Sequence, residues 1–120
     1  METSDAVAAR FSSALSTYEE HALVQREAAD HLTERLLSLR TSFGRVFEVG
    51  CGTGRWSRTL AVRSQIDALW LNDLSPELAV EARKRLPETV RKKTVLLPGD
   101  AELLAWPDGL DLVLAGSVLQ

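Results

Sequence analysis

The sequence predicts an α/β fold in which a parallel β-sheet is flanked by helices. Three observations predict it: short apolar runs alternate with helical patterns, a glycine-rich loop follows the first run, and acidic residues follow the ends of the runs. Such alternation is typical of parallel sheets, because a parallel crossover needs a long connection that is usually a helix. We expect helices on both faces of the sheet.

The composition is ordinary for one globular domain: 120 residues, of which 45% are hydrophobic and 26% charged. A net charge of −3 gives no electrostatic reason to expect nucleic acid or an anionic membrane as a partner. We expect no signal peptide, and the apolar runs are far shorter than the ~18 residues of a membrane span. The single cysteine excludes an internal disulfide and favours a reducing compartment, so the expected location is the cytoplasm.

The chain divides into a helical lead-in, residues 1–40, and a sheet-forming core, residues 41–120. Within the lead-in, residues 19–40 have apolar positions at helical spacing. We expect Gly44 to lie near the end of this helix, where glycine is common. The predicted inner stripe of the helix consists of Ala22, Ala29, Leu32, Leu36 and Leu39.

The core is predicted to contain four strands, with two helices between the first three. The predicted strands are residues 45–49, 68–73, 93–100 and 109–117. The first core helix covers residues 55–62; the second follows Ser75, which can cap its first amides, and Pro76, which suits the first helical position. Residues 101–106 form a short helical or irregular connection. The sheet is apparently truncated after strand four, either as a fragment of a longer protein or as a natural short form.

The first strand runs into a glycine-rich loop, VFEVGCGTGRWS, with Gly50, Gly52 and Gly54 two positions apart. Each glycine adds backbone entropy that is lost on folding, so this density indicates a ligand close to the main chain. The helix start that follows offers free amides and a positive dipole end. The spacing differs from the dinucleotide pattern G-x-G-x-x-G, and Glu48 disfavours a phosphate. An amino-acid-like ligand fits, because its carboxylate would face amides and its ammonium or sulfonium would face the acid.

Acidic residues at the ends of two further strands complete the predicted site. Asp73 follows Gly54 by 19 positions (73 − 54), close to the ~20-residue offset at which an acid binds ribose hydroxyls in nucleotide-binding α/β folds. Asp100 follows the third strand and can accept a hydrogen bond from an adenine amine, while the Ala101 amide donates to a ring nitrogen. Leu74, next to Asp73, is counted with the same site.

Several of these residues also have purely structural interpretations. Cys51 has no basic neighbour to lower its pKa, so we interpret it as a small side chain lining the site and not as a nucleophile. The two histidines lack a metal-ligand spacing, and no metal is expected. Glu48 could be a surface charge, and Asp73 and Asp100 could be turn residues; these alternatives stay open.

Together, VFEVGCGTGRWS, LNDLSPELAVEAR and LLPGDAELLAWPDGLDLVLAGSVLQ resemble the class I S-adenosylmethionine-dependent methyltransferases over about residues 45–120. The resemblance implies a Rossmann-like parallel sheet, incomplete here, with S-adenosyl-L-methionine as the cofactor. The residues it implies as holding the cofactor are Glu48, Gly50, Gly52, Asp73 and Asp100.

A narrower resemblance lies at the N-terminus, where FSSALSTYEEHALVQREAADHLTERL is similar to the start of the malonyl-acyl carrier protein O-methyltransferases of biotin synthesis. It implies methyl transfer to the free carboxyl of malonyl-acyl carrier protein. Such a transfer needs mainly the in-line positioning of the acceptor oxygen and the sulfonium methyl group, so no catalytic residue is assigned. Tyr18 and Gln25 match the family's pattern and would close over the methionine end of the cofactor as part of a lid; packing of the lead helix is the alternative.

Two other functions remain open from the sequence. The chain could be a methyltransferase of another acceptor, such as a small carboxylic acid or a quinone precursor. It could also be a truncated cofactor-binding domain or a pseudoenzyme without activity.

Overall fold

The chain folds into a four-stranded sheet in which every strand pairing is parallel. The computed structural model describes the backbone of residues 18–115 and the side chains of residues 27–115. The strand order is β3-β2-β1-β4. The strands are β1 (Ser42–Val49), β2 (Gln65–Asp73), β3 (Thr94–Pro98) and β4 (Leu112–Ala115). The predicted fold class is confirmed, and β1 and β2 begin a little earlier than predicted.

Four helices accompany the sheet in the described part of the chain. They are α1 (Tyr18–Leu39), α2 (Arg55–Arg63), α3 (Pro76–Lys84) and α4 (Glu88–Arg91). The short helix α4 was not predicted, because a single turn is too short to show a helical period. None of the helices in residues 18–115 is long and apolar enough to cross a membrane.

The start of α3 agrees with its predicted capping. The Ser75 hydroxyl accepts a hydrogen bond of 3.3 Å from the Leu78 amide, and Pro76 occupies the first helical position. On the inner face of α3, Ala79 and Ala82 are fully buried. Because α3 follows β2 directly, its N-terminus is fixed at the carboxyl end of that strand.

The helices pack on one face of the sheet. Val46 and Leu69, on that face of β1 and β2, form one core cluster with Leu60 of α2, Ala79 of α3 and Val90 of α4. The expectation of helices on both faces is wrong for the described residues: the second face is crossed by the irregular segment 99–111. This segment contains a proline and two glycines, which interrupt a helix.

The segment 99–111 is nevertheless attached to the sheet. The Trp106 ring stands edge-on to the ring of Phe47, with centroids 5.0 Å apart and an interplanar angle of 83°. Phe47 is fully buried, while Trp106 is 45% exposed. The tryptophan therefore covers the second face of β1. Residues 101–106, predicted as a short helical or irregular connection, are irregular.

The inner stripe predicted for α1 is partly wrong. Leu32 and Leu39 are 49% and 75% exposed, whereas Thr33 is buried and Leu36 packs against the core. Thr33 can be buried because its hydroxyl donates to the carbonyl of Ala29 at 2.8 Å. The buried face of α1 is thus rotated from the one that apolar spacing predicted; the side chain of Ala22 lies outside the described ones.

Gly44 does not end α1 but lies within β1, which corrects the predicted role. A Cβ atom at Gly44 would overlap the Asp111 carboxylate. Oδ2 of Asp111 accepts a hydrogen bond from the Arg45 amide, and the Asp111 amide donates to the Arg45 carbonyl, each at 2.8 Å. The glycine is needed because Asp111 approaches the backbone of β1 this closely.

Candidate functional site

The candidate site lies at the carboxyl end of the sheet, where the loops after β1, β2 and β3 meet. We call these loops the rim and define it as residues 50–54, 73–75 and 99–101. The prediction that Glu48, Asp73 and Asp100 lie at one edge of the sheet agrees with this arrangement, because β1, β2 and β3 are parallel neighbours. Open parallel sheets bind ligands at this edge.

The glycine loop has a backbone conformation that side chains disfavour. Gly50, Gly52 and Gly54 have φ angles of 63°, 54° and 77°, all in the left-handed region. At Gly54 a Cβ atom would also lie 2.7 Å from the Cβ of Ala82 on α3. The third glycine therefore serves the packing of α2 against α3. Close approach of a ligand to Gly50 and Gly52 stays a prediction.

Glu48 is buried beneath the glycine loop, with 1% of its surface exposed. The Ser57 hydroxyl donates to its Oε1 at 2.6 Å, so the carboxyl group lies at the N-terminus of α2, where Gly54 offers no side-chain cap. The pKa of Glu48 is raised to about 7, mainly because the carboxyl group is buried. Hydrogen bonds from Ser57 lower this pKa, and the negative charge of Asp73 raises it. Contact between Glu48 and a cationic ligand group stays a prediction.

Asp73 connects the loops after β1 and β2. Its Oδ2 accepts from the Gly52 amide and its Oδ1 from the Ser75 amide, both at 2.9 Å. An ionised carboxylate has about four acceptor sites, so each oxygen can accept one more hydrogen bond. Asp73 thus has the turn role and also the capacity for two ribose hydroxyls. Leu74 beside it is 76% exposed and leaves an apolar surface at the rim.

Asp100 and Ala101 form a turn that is held by Trp106. Asp100 is exposed, and its Oδ1 accepts from the Glu102 amide at 2.9 Å. The Trp106 indole donates to the Ala101 carbonyl at 2.8 Å. Because Trp106 also contacts Phe47, its side chain attaches the turn to the second face of β1.

Asn72 is a site residue that the sequence analysis missed. It is 2% exposed, and its side chain hydrogen-bonds to Gly50, Leu97 and Gly99. The signal in the sequence was a polar residue that continues the apolar run ALWL directly before the acid. Without the structure, this position could equally have been the first residue of a turn.

Cys51 has the environment of an inert thiol. It is 2% exposed, and burial raises its pKa to about 12, with the charges of Glu48 and Asp73 acting in the same direction. This agrees with its interpretation as a small side chain at the site. Among the described residues no cluster of three potential ligands could hold a metal ion. The side chains of Tyr18 and Gln25 lie outside the described ones.

The sequence matches known proteins over this same region. Residues 46–120 match a family described as "Methyltransferase domain". The chain is 39% identical over 115 residues to a malonyl-[acyl-carrier protein] O-methyltransferase of Bacteroides thetaiotaomicron, covering 95% of this chain and 43% of that protein. It is 37% identical over 116 residues to the biotin biosynthesis bifunctional protein BioCD of Bordetella avium, covering 95% and 24% of the two chains.

A solved methyltransferase structure supports the fold. The SAM-bound amino pentose methyltransferase CalS10 of Micromonospora echinaspora superposes with a TM-score of 0.54 and 28% identity. The superposition covers 80% of this chain and 40% of that one. The chain therefore spans less than half the length of each of these three proteins.

Proposed function

Because the chain belongs to the methyltransferase domain family, we propose that its rim binds S-adenosyl-L-methionine and that it forms the cofactor-binding part of a methyltransferase. The observation that supports this most is the arrangement of Asp73. Its carboxylate accepts a hydrogen bond from the Gly52 amide and still has acceptor sites free next to the glycine loop.

The residues present fit the cofactor part by part. The backbone of Gly50, Cys51 and Gly52 would hold the amino-acid part, and Asp73 would accept hydrogen bonds from the ribose hydroxyls. The adenine would be held by a second group of residues, which offers an apolar surface, an acceptor and a backbone amide: Leu74, Asp100 and Ala101. Gly54 contributes to the site by allowing the glycine loop to pack closely against α3.

The cofactor supplies an electrophilic methyl group on a sulfonium, and the protein positions this group relative to the acceptor. No base is needed when the acceptor is a carboxylate, since it is already ionised at neutral pH. The buried Glu48 adds negative potential beneath the glycine loop in its ionised form, which favours a cationic ligand over a neutral one. The proposed role of the chain is therefore to orient the donor and to favour the binding of its cationic group.

For the acceptor, we propose the free carboxyl of malonyl-acyl carrier protein, in biotin synthesis. The names of similar proteins support this acceptor, and the two proteins given above are similar over 95% of this chain. A small free carboxylic acid is the alternative acceptor. In either case Tyr18 and Gln25, on the first half of α1, are proposed to close over the methionine end. The single cysteine supports a cytoplasmic location.

Calorimetry with S-adenosylhomocysteine tests the binding proposal. We expect wild type to bind and Asp73→Ala to bind at least ~10-fold more weakly, because two hydroxyl hydrogen bonds to a charged acceptor are lost. Asp67→Ala is the matched control, since Asp67 is an exposed aspartate earlier on the same strand. Equal binding by wild type and Asp73→Ala would remove the ribose role of Asp73, and no binding by wild type would remove the proposed function.

A transfer assay tests the acceptor. Labelled S-adenosylmethionine is offered with malonyl-acyl carrier protein, with free malonate, or with unloaded carrier protein. The proposal predicts label only on the malonyl-loaded carrier. Label on free acids alone would replace the carrier acceptor by a small carboxylic acid.

A further inference from the structure

Asn72 is a buried amide at the point where two rim loops meet. Its Nδ2 donates to the carbonyl of Leu97 at 2.8 Å and to the carbonyl of Gly99 at 2.9 Å. Its Oδ1 accepts from the Gly50 amide at 3.3 Å. One side chain therefore bridges the loop after β1 and the loop after β3, across the end of the strand that lies between them.

The three partners of Asn72 require an amide. Two carbonyl oxygens need donors and one backbone N–H needs an acceptor, and among side chains of this size only asparagine offers both. An ionised aspartate could accept from Gly50 but could not donate to Leu97 or Gly99. A leucine would satisfy none of the three, and unpaired buried polar groups are costly.

Main-chain hydrogen bonds at residues 72 and 73 connect the end of β2 to the same two loops. The Cys51 amide donates to the Asn72 carbonyl at 2.7 Å, and the Gly99 amide donates to the carbonyl of the next residue, Asp73, at 2.9 Å. The loop after β1 and the loop after β3 are thus each fixed to the end of β2 by backbone and by side chain. The separation between them is set at this residue.

We infer that Asn72 is a positioning residue that sets the distance between the glycine loop and the Asp100 turn, and so matches the rim to a ligand that spans both. The inference rests on the proposed function, in which the amino-acid part of the ligand lies on the glycine loop and the adenine lies at Asp100. Asn72 itself is buried beneath the loops and acts through Gly50 and Gly99.

Two ligands of different length distinguish positioning from general stability. S-adenosylhomocysteine spans both loops, whereas 5′-methylthioadenosine lacks the amino-acid part and depends on the glycine loop less. In Asn72→Ala, measured where circular dichroism shows the folded state, we expect at least ~10-fold weaker binding of S-adenosylhomocysteine and a clearly smaller loss for methylthioadenosine. Unchanged affinities, or the same factor for both ligands, would overturn the inference.

Asn72→Asp adds a signature that a loss of packing would not produce. The aspartate matches asparagine in shape; its ionised form lacks both donors, and protonation restores one O–H. We expect its affinity for S-adenosylhomocysteine, relative to wild type, to recover as the pH falls from 8 to 5.5. Gln65→Glu is the matched control, because it adds the same charge at the exposed start of the same strand. A ratio independent of pH would contradict the inference.

The neighbouring acidic groups are common to all the variants. Because Glu48, Asp73 and Asp100 are present in each of them, the ratio of variant to wild type at each pH removes the part of the pH dependence that the proteins share. A wild type that does not bind S-adenosylhomocysteine would refute the proposed function. Variants that bind both ligands like wild type would refute only the role of Asn72.

A measurement on the unmodified protein covers the case in which the variants do not fold. The side-chain amide protons of Asn72 should exchange slowly with solvent, both in the free protein and with S-adenosylhomocysteine bound, because both are donated to main-chain carbonyls by a side chain that is 2% exposed. Fast exchange of these protons in either state would overturn the inference.

Discussion

The amide of Gly52 donates a 2.9 Å hydrogen bond to Oδ2 of Asp73, which joins the middle of the glycine loop to the end of β2. The other carboxylate oxygen holds the Ser75 amide at the start of α3. Asp73 therefore organises the rim as well as offering acceptors to a ligand. Effects of its substitution on ligand affinity have to be compared with its effects on stability.

Gly54→Ala should destabilise the fold by about 2–4 kcal/mol. The added methyl would lie 2.7 Å from the Cβ of Ala82, and the φ of 77° disfavours any side chain. Urea unfolding measures the loss. The double variant Gly54→Ala/Ala82→Gly removes the overlap but keeps the unfavourable φ, so it should be more stable than the sum of the two single variants predicts. Strict additivity would contradict the close packing of these residues.

Glu48 should make stability fall as the pH rises. Its pKa is about 7 in the folded state against an ordinary value of 4.5, so the folded protein binds the extra proton between these values. Its contribution is complete below pH 4.5 and is lost as the pH rises through 7, by about 3 kcal/mol at most. Urea unfolding at pH 5 and pH 8, compared between wild type and Glu48→Gln, measures this contribution. The same pH dependence in both proteins would exclude Glu48 as its source.

Cys51 should react slowly with thiol reagents in the folded protein. Its pKa of about 12 and its 2% exposure leave almost no thiolate and little access at pH 8. Labelling with iodoacetamide should be at least ~100-fold slower in native buffer than in 8 M urea, given the thousandfold lower thiolate fraction that a pKa of 12 implies compared with 9. Native labelling as fast as that of the unfolded chain would show an open loop.

Helix α1 should be held to the core by apolar contact more than by its ion pairs. The Asp30–Arg55 pair, at 3.1 Å, joins side chains that are about half exposed, so Asp30→Asn should cost under ~1 kcal/mol. Leu36 packs against the core, and Leu36→Ala should cost about 2 kcal/mol. Leu32→Ala on the same helix is the matched control and should be close to neutral, because Leu32 is 49% exposed. A loss for Leu32→Ala as large as that for Leu36→Ala would restore the apolar stripe that the sequence predicted, which contains both residues.

The fold and the family could be predicted from the sequence because their signals are local. Alternating strand and helix patterns, the capping pair Ser75 and Pro76, and the glycine loop each lie within a few residues, and the order of the elements follows from them. The family resemblance is confirmed by the match over residues 46–120.

The remaining features depend on contacts between distant parts of the chain. The partners of Asn72 lie 22, 25 and 27 positions away, and Asp111, whose carboxylate needs Gly44, pairs with Arg45 from 66 positions away. No local pattern reports such contacts, so Gly44 was assigned to a helix end and Asn72 was missed. The burial of Glu48 against Ser57 belongs to the same class, because only packing decides which way a side chain at a strand end turns.

The most direct test of the proposed site is a crystal structure with S-adenosylhomocysteine. The account predicts the amino-acid part over the backbone of residues 50–52, both ribose hydroxyls within about 3 Å of the Asp73 carboxylate, and the adenine beside Leu74 and Asp100. Electron density for the compound at any other place, or ribose hydroxyls out of reach of Asp73 at full occupancy, would contradict it.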